Sequence, residues 1–250
     1  MIPYNKQEIS ETDINAVVKV LRSKLITQGP VVKKFEKNFS RYVKSKYAIS
    51  FNSCTSALHA AVKVFNLKKN DYVWTSPNSF VASANCVLYN NHKLDFVDID
   101  ENTGSISLNH LENKLKKTKK NKLPKLLINV HFGGVPNNQL KFWELSRRYN
   151  FKILEDACHA LGGSFLNNKV GNCKWSDISV FSFHAIKSIT TGEGGMATTN
   201  NVDYAKKLNL IKSHGILRNY KTFKKKNNFL KYDQKLLGYN FRLNEFQSAL

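Results

Sequence analysis

Long apolar runs are missing from this sequence of 250 residues. No stretch approaches the roughly 20 apolar residues that a membrane-spanning helix needs, and residues 1–6 lack the apolar core of a secretory signal. Cysteine is also scarce, and Cys54, Cys86, Cys158 and Cys173 form no CxxC or Cys/His spacing. These absences predict a cytoplasmic protein without a membrane partner, in which the cysteines are reduced structural thiols and no metal is bound.

Acidic residues are few, with 18 Asp and Glu against 39 Lys and Arg, so the formal net charge is +21. Such an excess raises the question of nucleic-acid binding. The basic residues are spread along the chain, however, and the local runs at 116–120 and 224–226 are not interleaved with the aromatic residues that single-strand binders use. We therefore predict no nucleic-acid partner, although a basic surface would attract an anionic metabolite. A basic regulatory protein that keeps an enzyme fold without its chemistry is the alternative.

Glycine-rich nucleotide-binding motifs are absent too, since no GxGxxG follows the first predicted strand and no GxxxxGK[ST] occurs. What the sequence has is an alternation of short apolar strands and amphipathic helices. The strands are predicted at residues 47–51, 72–75, 94–98, 126–130, 151–155, 178–183 and 195–199. The helices are predicted at residues 10–22, 30–42, 57–62, 79–89, 108–116, 139–149 and 202–213. This alternation predicts one α/β domain with a mostly parallel sheet.

Three predicted turns follow strands, at the sheet edge where such folds bind ligands. In the first, residues 52–56 place small hydroxyl side chains at the N-terminus of a helix. Free backbone N–H groups there suit a phosphate, and a simple Ser/Thr helix cap explains the same residues equally well.

The second turn carries Asp156 and His159, which are three residues apart and could hydrogen-bond on a turn or a first helical turn. A carboxylate held there could keep a heteroaromatic nitrogen protonated. A helix cap and a packed core histidine are the alternative readings of these two residues.

The third turn carries Lys187, just past an apolar strand. An amine beside aromatic and apolar neighbours could attack a carbonyl, although most lysines in so basic a chain are surface residues. Together, a phosphate cradle at residues 54–56, the acid Asp156 and the amine Lys187 are what pyridoxal phosphate needs. No metal or Ser/His/Asp arrangement uses all three.

Five ordered motifs carry a family resemblance, at residues 52–58, 75–85, 155–162, 181–187 and 240–244. They resemble the DegT/StrS sugar-nucleotide aminotransferases, and within that family the 4-aminotransferases of pseudaminic acid biosynthesis. The resemblance implies a three-layer α/β/α large domain of a fold-type I pyridoxal-phosphate transferase, with a mostly parallel mixed sheet, and a homodimer. It assigns residues 1–250 to the large domain and residues 1–30 to part of the substrate site. Because the chain stops inside a predicted helix and relatives continue, a small C-terminal domain is expected to be missing.

The resemblance also implies roles for individual residues. Lys187 would be the catalytic lysine and form the Schiff base. The remaining cofactor contacts would come from Cys54, Thr55, Phe80, Asp156, His159, Ser182 and, from the partner subunit, Asn240. Substrate contacts would come from Tyr4, Lys24, Leu25, Ile26, Thr27 and, with a less defined role, His184.

The implied reaction moves an amino group from glutamate to C4 of a UDP-linked 4-keto-6-deoxy-N-acetylhexosamine. A lysine, where related dehydratases carry histidine, favours amino transfer over dehydration. The alternatives are an aminotransferase or dehydratase for another nucleotide keto sugar, and a truncated non-catalytic protein of this fold.

Overall fold

A seven-stranded mixed sheet organises the chain. The structure, a computed structural model, describes residues 6–217 and 232–250. The helices are α1 Glu11–Leu21, α2 Pro30–Val43, α3 Cys54–Val64, α4 Ala82–Tyr89, α5 Leu108–Lys117, α6 Gln139–Tyr149, α7 Val202–Ile211 and α8 Glu245–Ala249. The strands are β1 Tyr47–Phe51, β2 Tyr72–Thr75, β3 Lys93–Phe96, β4 Pro124–Val130, β5 Lys152–Asp156, β6 Ser164–Phe165, β7 Asn168–Lys169, β8 Ile178–Ser182, β9 Gly195–Thr199, β10 Ile216–Leu217 and β11 Asp233–Gln234.

The sheet has the strand order β1-β9-β8-β5-β4-β2-β3. Only β9 runs against its neighbours, β1 and β8, and the remaining pairs are parallel. This arrangement confirms the predicted α/β fold with a mostly parallel mixed sheet.

Alternating side chains of the strands divide the core into two layers. On one face, residues such as Ile128, Leu154 and Val180 pack against α3, α4 and α7. On the other face, Ile153 packs with α5 and α6, and Phe181 packs with α2. Because successive residues of a strand point to opposite faces, each strand serves both layers, and the predicted three-layer arrangement is confirmed.

Helix starts follow the predicted capping chemistry. The Ser10 side chain accepts from the Asp13 N–H, and the Asp13 carboxylate accepts from the Ser10 N–H, which makes a capping box at α1. Pro30 occupies the first turn of α2, where its missing N–H costs nothing.

Several element bounds differ from the prediction. Helix α3 covers Cys54–Val64 instead of residues 57–62. Helix α4 begins at Ala82 instead of residue 79, and the Ser79 and Ser83 hydroxyls bond each other across its start. The short hairpins β6–β7 and β10–β11 were not predicted, since two-residue strands carry no readable periodicity. Within the described ranges, no helix is both long and apolar enough to cross a membrane.

Candidate active site

The carboxyl ends of the parallel strands open into a cavity of about 410 Å³. The N-terminus of α3, the ends of β4, β5 and β8, and the segment before α4 form its walls. Eight of the residues predicted for the site line this cavity: Cys54, Thr55, Phe80, Asp156, His159, Ser182, His184 and Lys187. The three turns that the sequence indicated therefore do meet at one place.

The N-terminus of α3 forms one wall of the cavity. Ser53 caps the helix, since its hydroxyl accepts from the Ser56 N–H at 3.1 Å. Within the described part of the chain, the N–H groups of Cys54 and Thr55 have no acceptor. The helix therefore has both the cap and two N–H groups that remain available to an anion in the cavity.

A glycine lets the neighbouring strand approach this helix end. A Cβ on Gly195, the first residue of β9, would lie 2.5 Å from the Ser53 carbonyl oxygen and 2.7 Å from the Cys54 nitrogen. Only a residue without a side chain fits this approach without displacing the backbone. Gly195 thus fixes the distance between β9 and the α3 N-terminus.

Asp156 ends β5 and is only 5% exposed. Its carboxylate accepts from the Ser83 hydroxyl of α4 at 2.5 Å and from the Cys158 N–H at 3.2 Å. The hydrogen bond that the spacing allows between Asp156 and His159 is not formed, although a turn does follow β5, because the carboxylate accepts from Ser83 and Cys158. The buried serine of α4 orients the carboxylate instead.

Lys187 lies in a turn that follows β8. Its N–H donates to the His184 carbonyl at 2.9 Å, and the His184 N–H donates to the Ser182 hydroxyl at 3.3 Å. Burial, together with the positive charge of Lys187, lowers the pKa of His159, although Asp156 opposes this shift. His159 is therefore favoured in its neutral form beside the lysine.

Glu155 points to the opposite face of β5 and belongs to a separate buried network. Its carboxylate accepts from Ser176 at 2.9 Å, and also from Ser179 and Gln139. Burial works to raise the pKa of Glu155, but His131, Ser179 and Gln139 outweigh it and lower the pKa. The two adjacent carboxylates thus have separate environments, and only Asp156 faces the cavity.

Comparison with known proteins places these features in one family. The model of the DegT/DnrJ/EryC1/StrS aminotransferase family matches residues 7–250. The chain belongs to this family. It is 37% identical to the UDP-4-amino-4,6-dideoxy-N-acetyl-beta-L-altrosamine transaminase of Campylobacter jejuni, and the match covers 100% of the chain and 63% of that relative.

Solved structures agree with this assignment. PseC of Helicobacter pylori, an aminotransferase involved in pseudaminic acid biosynthesis, superposes with a TM-score of 0.89 at 36% identity, over 99% of this chain and 63% of that one. The PLP form of Spr1654, a putative sugar aminotransferase of Streptococcus pneumoniae, gives a TM-score of 0.86 at 25% identity, over 99% of this chain and 64% of that one. The family predicted from the five motifs is confirmed, and the chain spans about 63% of the length of the C. jejuni and H. pylori relatives.

Among the described residues of this DegT-family chain, the other predicted contacts, Asn240 and residues 24–27, do not line the cavity. Asn240 is exposed and pairs with Ser213 in an isolated bridge. Residues 24–27 are exposed as well. Tyr4 lies outside the described residues. The predicted roles of these residues stay predictions.

Several residues in or beside the cavity were not predicted. His131 and Phe132 follow β4, Ser83 anchors Asp156, and Glu193 lies within 3.7 Å of His184. The strand-end rule that indicated the other turns applies equally to His131 and could have found it. Ser83 carries no sequence signal of its own, because it reaches Asp156 from a helix 73 residues earlier.

Proposed function

We propose that this chain is the large domain of a pyridoxal-phosphate-dependent aminotransferase that transfers an amino group from glutamate to C4 of a UDP-linked 4-keto-6-deoxy-N-acetylhexosamine. The observation that carries the proposal is the convergence of Lys187, Asp156 and the α3 N-terminus on one cavity. An amine, a buried carboxylate and available N–H groups are the three partners that this cofactor requires.

The residues present fit the cofactor. The N–H groups of Cys54 and Thr55 and the Ser182 hydroxyl, all at the cavity wall, would bind its phosphate. Asp156, held by Ser83, would keep a proton on the ring nitrogen. Phe80 is 78% exposed at the cavity, and its ring would stack on the cofactor ring.

When bound, pyridoxal phosphate accepts the amino group of the donor and later supplies it to the keto carbon. Lys187 would hold the cofactor covalently and, once released, move the proton to and from C4 through its Nζ as general base and acid. His159, favoured as neutral imidazole, would accept or donate a hydrogen bond at the ring oxygen. Turnover would therefore require both Lys187 and Asp156 at the carboxyl edge of the sheet.

Two contacts support a substrate role for the segment around residues 24–27. The Glu245 N–H at the start of α8 donates to the Ile26 carbonyl at 3.1 Å. From the same helix, Gln247 donates to the Glu193 carbonyl at 2.8 Å, and Glu193 lines the cavity. The segment is thus tied to the cavity rim, where it would contact the sugar nucleotide together with His184 and Tyr4.

The proposal includes a homodimer in the cytoplasm. Apolar side chains are exposed around the cavity, among them Phe80, Val81, Ile186 and Ile189. A partner subunit that covers them would also receive Asn240 from this chain and supply its own. Light scattering of the purified chain measures the assembly, and a mass of one chain at all concentrations would contradict a dimer.

The deciding experiment uses Lys187→Ala. We expect the wild-type chain to show the visible absorption of lysine-bound pyridoxal phosphate, and this band to disappear in the variant because no amine remains to bond the cofactor. Lys125→Ala, at an exposed strand lysine away from the cavity, is the matched control and keeps the band. If the band persisted in Lys187→Ala, another lysine would be the attachment point.

The substrate is tested with glutamate and a panel of UDP- and dTDP-linked 4-keto sugars. We expect glutamate to bleach the absorption band and one UDP-linked 4-keto sugar to restore it with formation of an amino sugar. Loss of the C3 hydroxyl without amino transfer would show the alternative, a dehydratase. Transfer to a different keto sugar would keep the reaction and change only the substrate.

A further inference from the structure

Two thiols lie in contact on the cavity wall. The Sγ atoms of Cys54 and Cys158 are 2.8 Å apart, although the residues are separated by 104 positions in the sequence. Cys54 comes from the first turn of α3, and Cys158 comes from the turn after β5. Both thiols border the cavity and are therefore reachable from it.

A carboxylate completes this cluster. The two sulfur atoms and an oxygen of Asp156 all lie within 4.8 Å of one another, and this is the one such group of possible metal ligands among residues 6–217 and 232–250. Two thiolates and a carboxylate are ligands that zinc and other thiophilic dications accept, with a fourth position left for water. The cavity provides room for that water.

The two thiols share a buried environment with the Asp156 carboxylate. The contact with Cys158 works to lower the pKa of the Cys54 thiol, but burial and Asp156 outweigh it and raise the pKa. The contact with Cys54, burial and Asp156 together raise the pKa of Cys158 well above its ordinary value. A dication bound by both sulfur atoms would displace one proton from each thiol into solvent.

Lys187 supplies a positive charge near this cluster, and that charge works to lower the pKa of Cys54. With the ion bound, two thiolates and the Asp156 carboxylate carry three negative charges. The dication and the Lys187 ammonium carry three positive charges, so the formal charge of the cluster is zero. The other two cysteines are engaged elsewhere, because Cys86 donates to the Ser83 carbonyl and Cys173 contacts Thr198.

We propose that Cys54, Cys158 and Asp156 of the cofactor-free chain bind one thiophilic divalent cation, such as Zn²⁺ or Cd²⁺, and that this ion and the cofactor exclude each other. The metal site rests on the cluster alone. The exclusion rests also on the proposed function, because Asp156 and the α3 N-terminus are the places that we assign to pyridoxal phosphate.

The first experiment titrates reduced, cofactor-free protein with Cd²⁺ and follows the cadmium–thiolate absorption, with equilibrium dialysis for the stoichiometry. We expect one ion per chain, and a loss of affinity of at least about tenfold in both Cys54→Ser and Cys158→Ser, since even outer-shell changes cost metal sites that much. Cys173→Ser, whose hydroxyl can keep the contact with Thr198, is the matched control and binds as the wild type does. Circular dichroism checks that each variant folds.

Equal affinity in the wild type and both cavity variants would show an adventitious ion only and would overturn the site. Reduced wild-type chain that takes up no Cd²⁺ would overturn it as well. Using the two single variants keeps the result clear if one of them fails to fold.

The second experiment tests exclusion. Chain loaded with pyridoxal phosphate should take up Cd²⁺ at least about tenfold more weakly than cofactor-free chain, because it no longer offers Asp156. Unchanged uptake in cofactor-loaded chain would overturn exclusion and leave the metal site standing. A chain that binds Cd²⁺ but never binds pyridoxal phosphate would contradict both the exclusion and the proposed function, while the cluster would still stand as a metal site.

Discussion

The N-termini of α2 and α3 lie in the same domain and end up with opposite uses. At α2, the N–H groups of Gly29, Val31 and Val32 donate to the Glu245 carboxylate at 2.8, 2.7 and 3.2 Å. At α3, the N–H groups of Cys54 and Thr55 face the cavity and meet no acceptor among the described residues. One helix end is thus neutralised by the chain itself, and the other is left for a ligand.

The difference shows that a helix N-terminus is a site only where the fold leaves it open. Both ends have N–H groups without an acceptor inside their own helix, and both have a favourable dipole. Both are also approached closely at a glycine, since a Cβ on Gly29 would lie 2.7 Å from the Glu245 carboxylate and one on Gly195 would meet the start of α3. What separates them is the carboxylate of Glu245, which is fully buried against α2.

The largest effect is expected from Glu245→Ala, which removes the internal anion. Three N–H groups, two of them buried, lose their acceptor, and we expect a loss of about 3 to 5 kcal/mol in the free energy of unfolding. Urea denaturation of both proteins measures it. Glu245→Gln keeps one oxygen acceptor and should lose clearly less. Equal stability of Glu245→Ala and the wild type would show that the Glu245 carboxylate does not stabilise the N-terminus of α2.

A smaller effect is expected from Gly195→Ala. The added methyl group meets the Ser53 carbonyl and the Cys54 nitrogen, so β9 and the α3 N-terminus must separate, at a cost of about 1 to 3 kcal/mol. We also expect weaker binding of pyridoxal phosphate, measured by titration of its absorption. Gly163→Ala is the control: its Cβ would lie 3.2 Å from the Ala160 carbonyl oxygen, so we expect a smaller loss of stability and an unchanged cofactor affinity. Unchanged cofactor affinity in Gly195→Ala would show that Gly195 has no role in cofactor binding.

The smallest effect is expected from Ser53→Ala, which removes the cap that accepts from the Ser56 N–H. The helix should lose about 1 kcal/mol, and the cofactor affinity should fall with it because the first turn of α3 is less ordered. Ser107→Ala removes the corresponding cap of α5, where the hydroxyl accepts from the His110 N–H. This control should lose similar stability and keep its cofactor affinity. If the cofactor affinity of Ser107→Ala fell as well, the lower affinity of Ser53→Ala would be due to the general loss of stability.

Much of this fold could be predicted from the sequence because its signals are short-range. The capping box at Ser10, the proline at the start of α2 and the 11-residue helix α6 all depend on residues within four positions of one another. The bounds of the helices were predicted less well than their existence. Helix α4 begins at Ala82, three residues after the predicted start.

The sequence predicted those residues of the candidate site that follow a predicted strand. Asp156 and Lys187 each follow an apolar strand, and β5 and β8 proved to be neighbours in the sheet. The hydrogen bond between Asp156 and His159 that the spacing allows is not formed, and the side chain that bonds Asp156 is Ser83 of α4. Spacing along the chain contains no information about such a contact.

The sequence by itself determined the elements, the family and the chemical groups available for catalysis. Only the tertiary structure decided that Cys54 meets Cys158, and that Glu245 neutralises α2 from more than 210 positions away. The physical reason is that the order of the strands in the sheet differs from their order in the chain. Strand β9 lies between β1 and β8, so segments that are far apart in the sequence become neighbours. Caps and hydrophobic periods are local hydrogen bonds and contacts, whereas the choice of which helix end stays open is made by the packing of the whole domain.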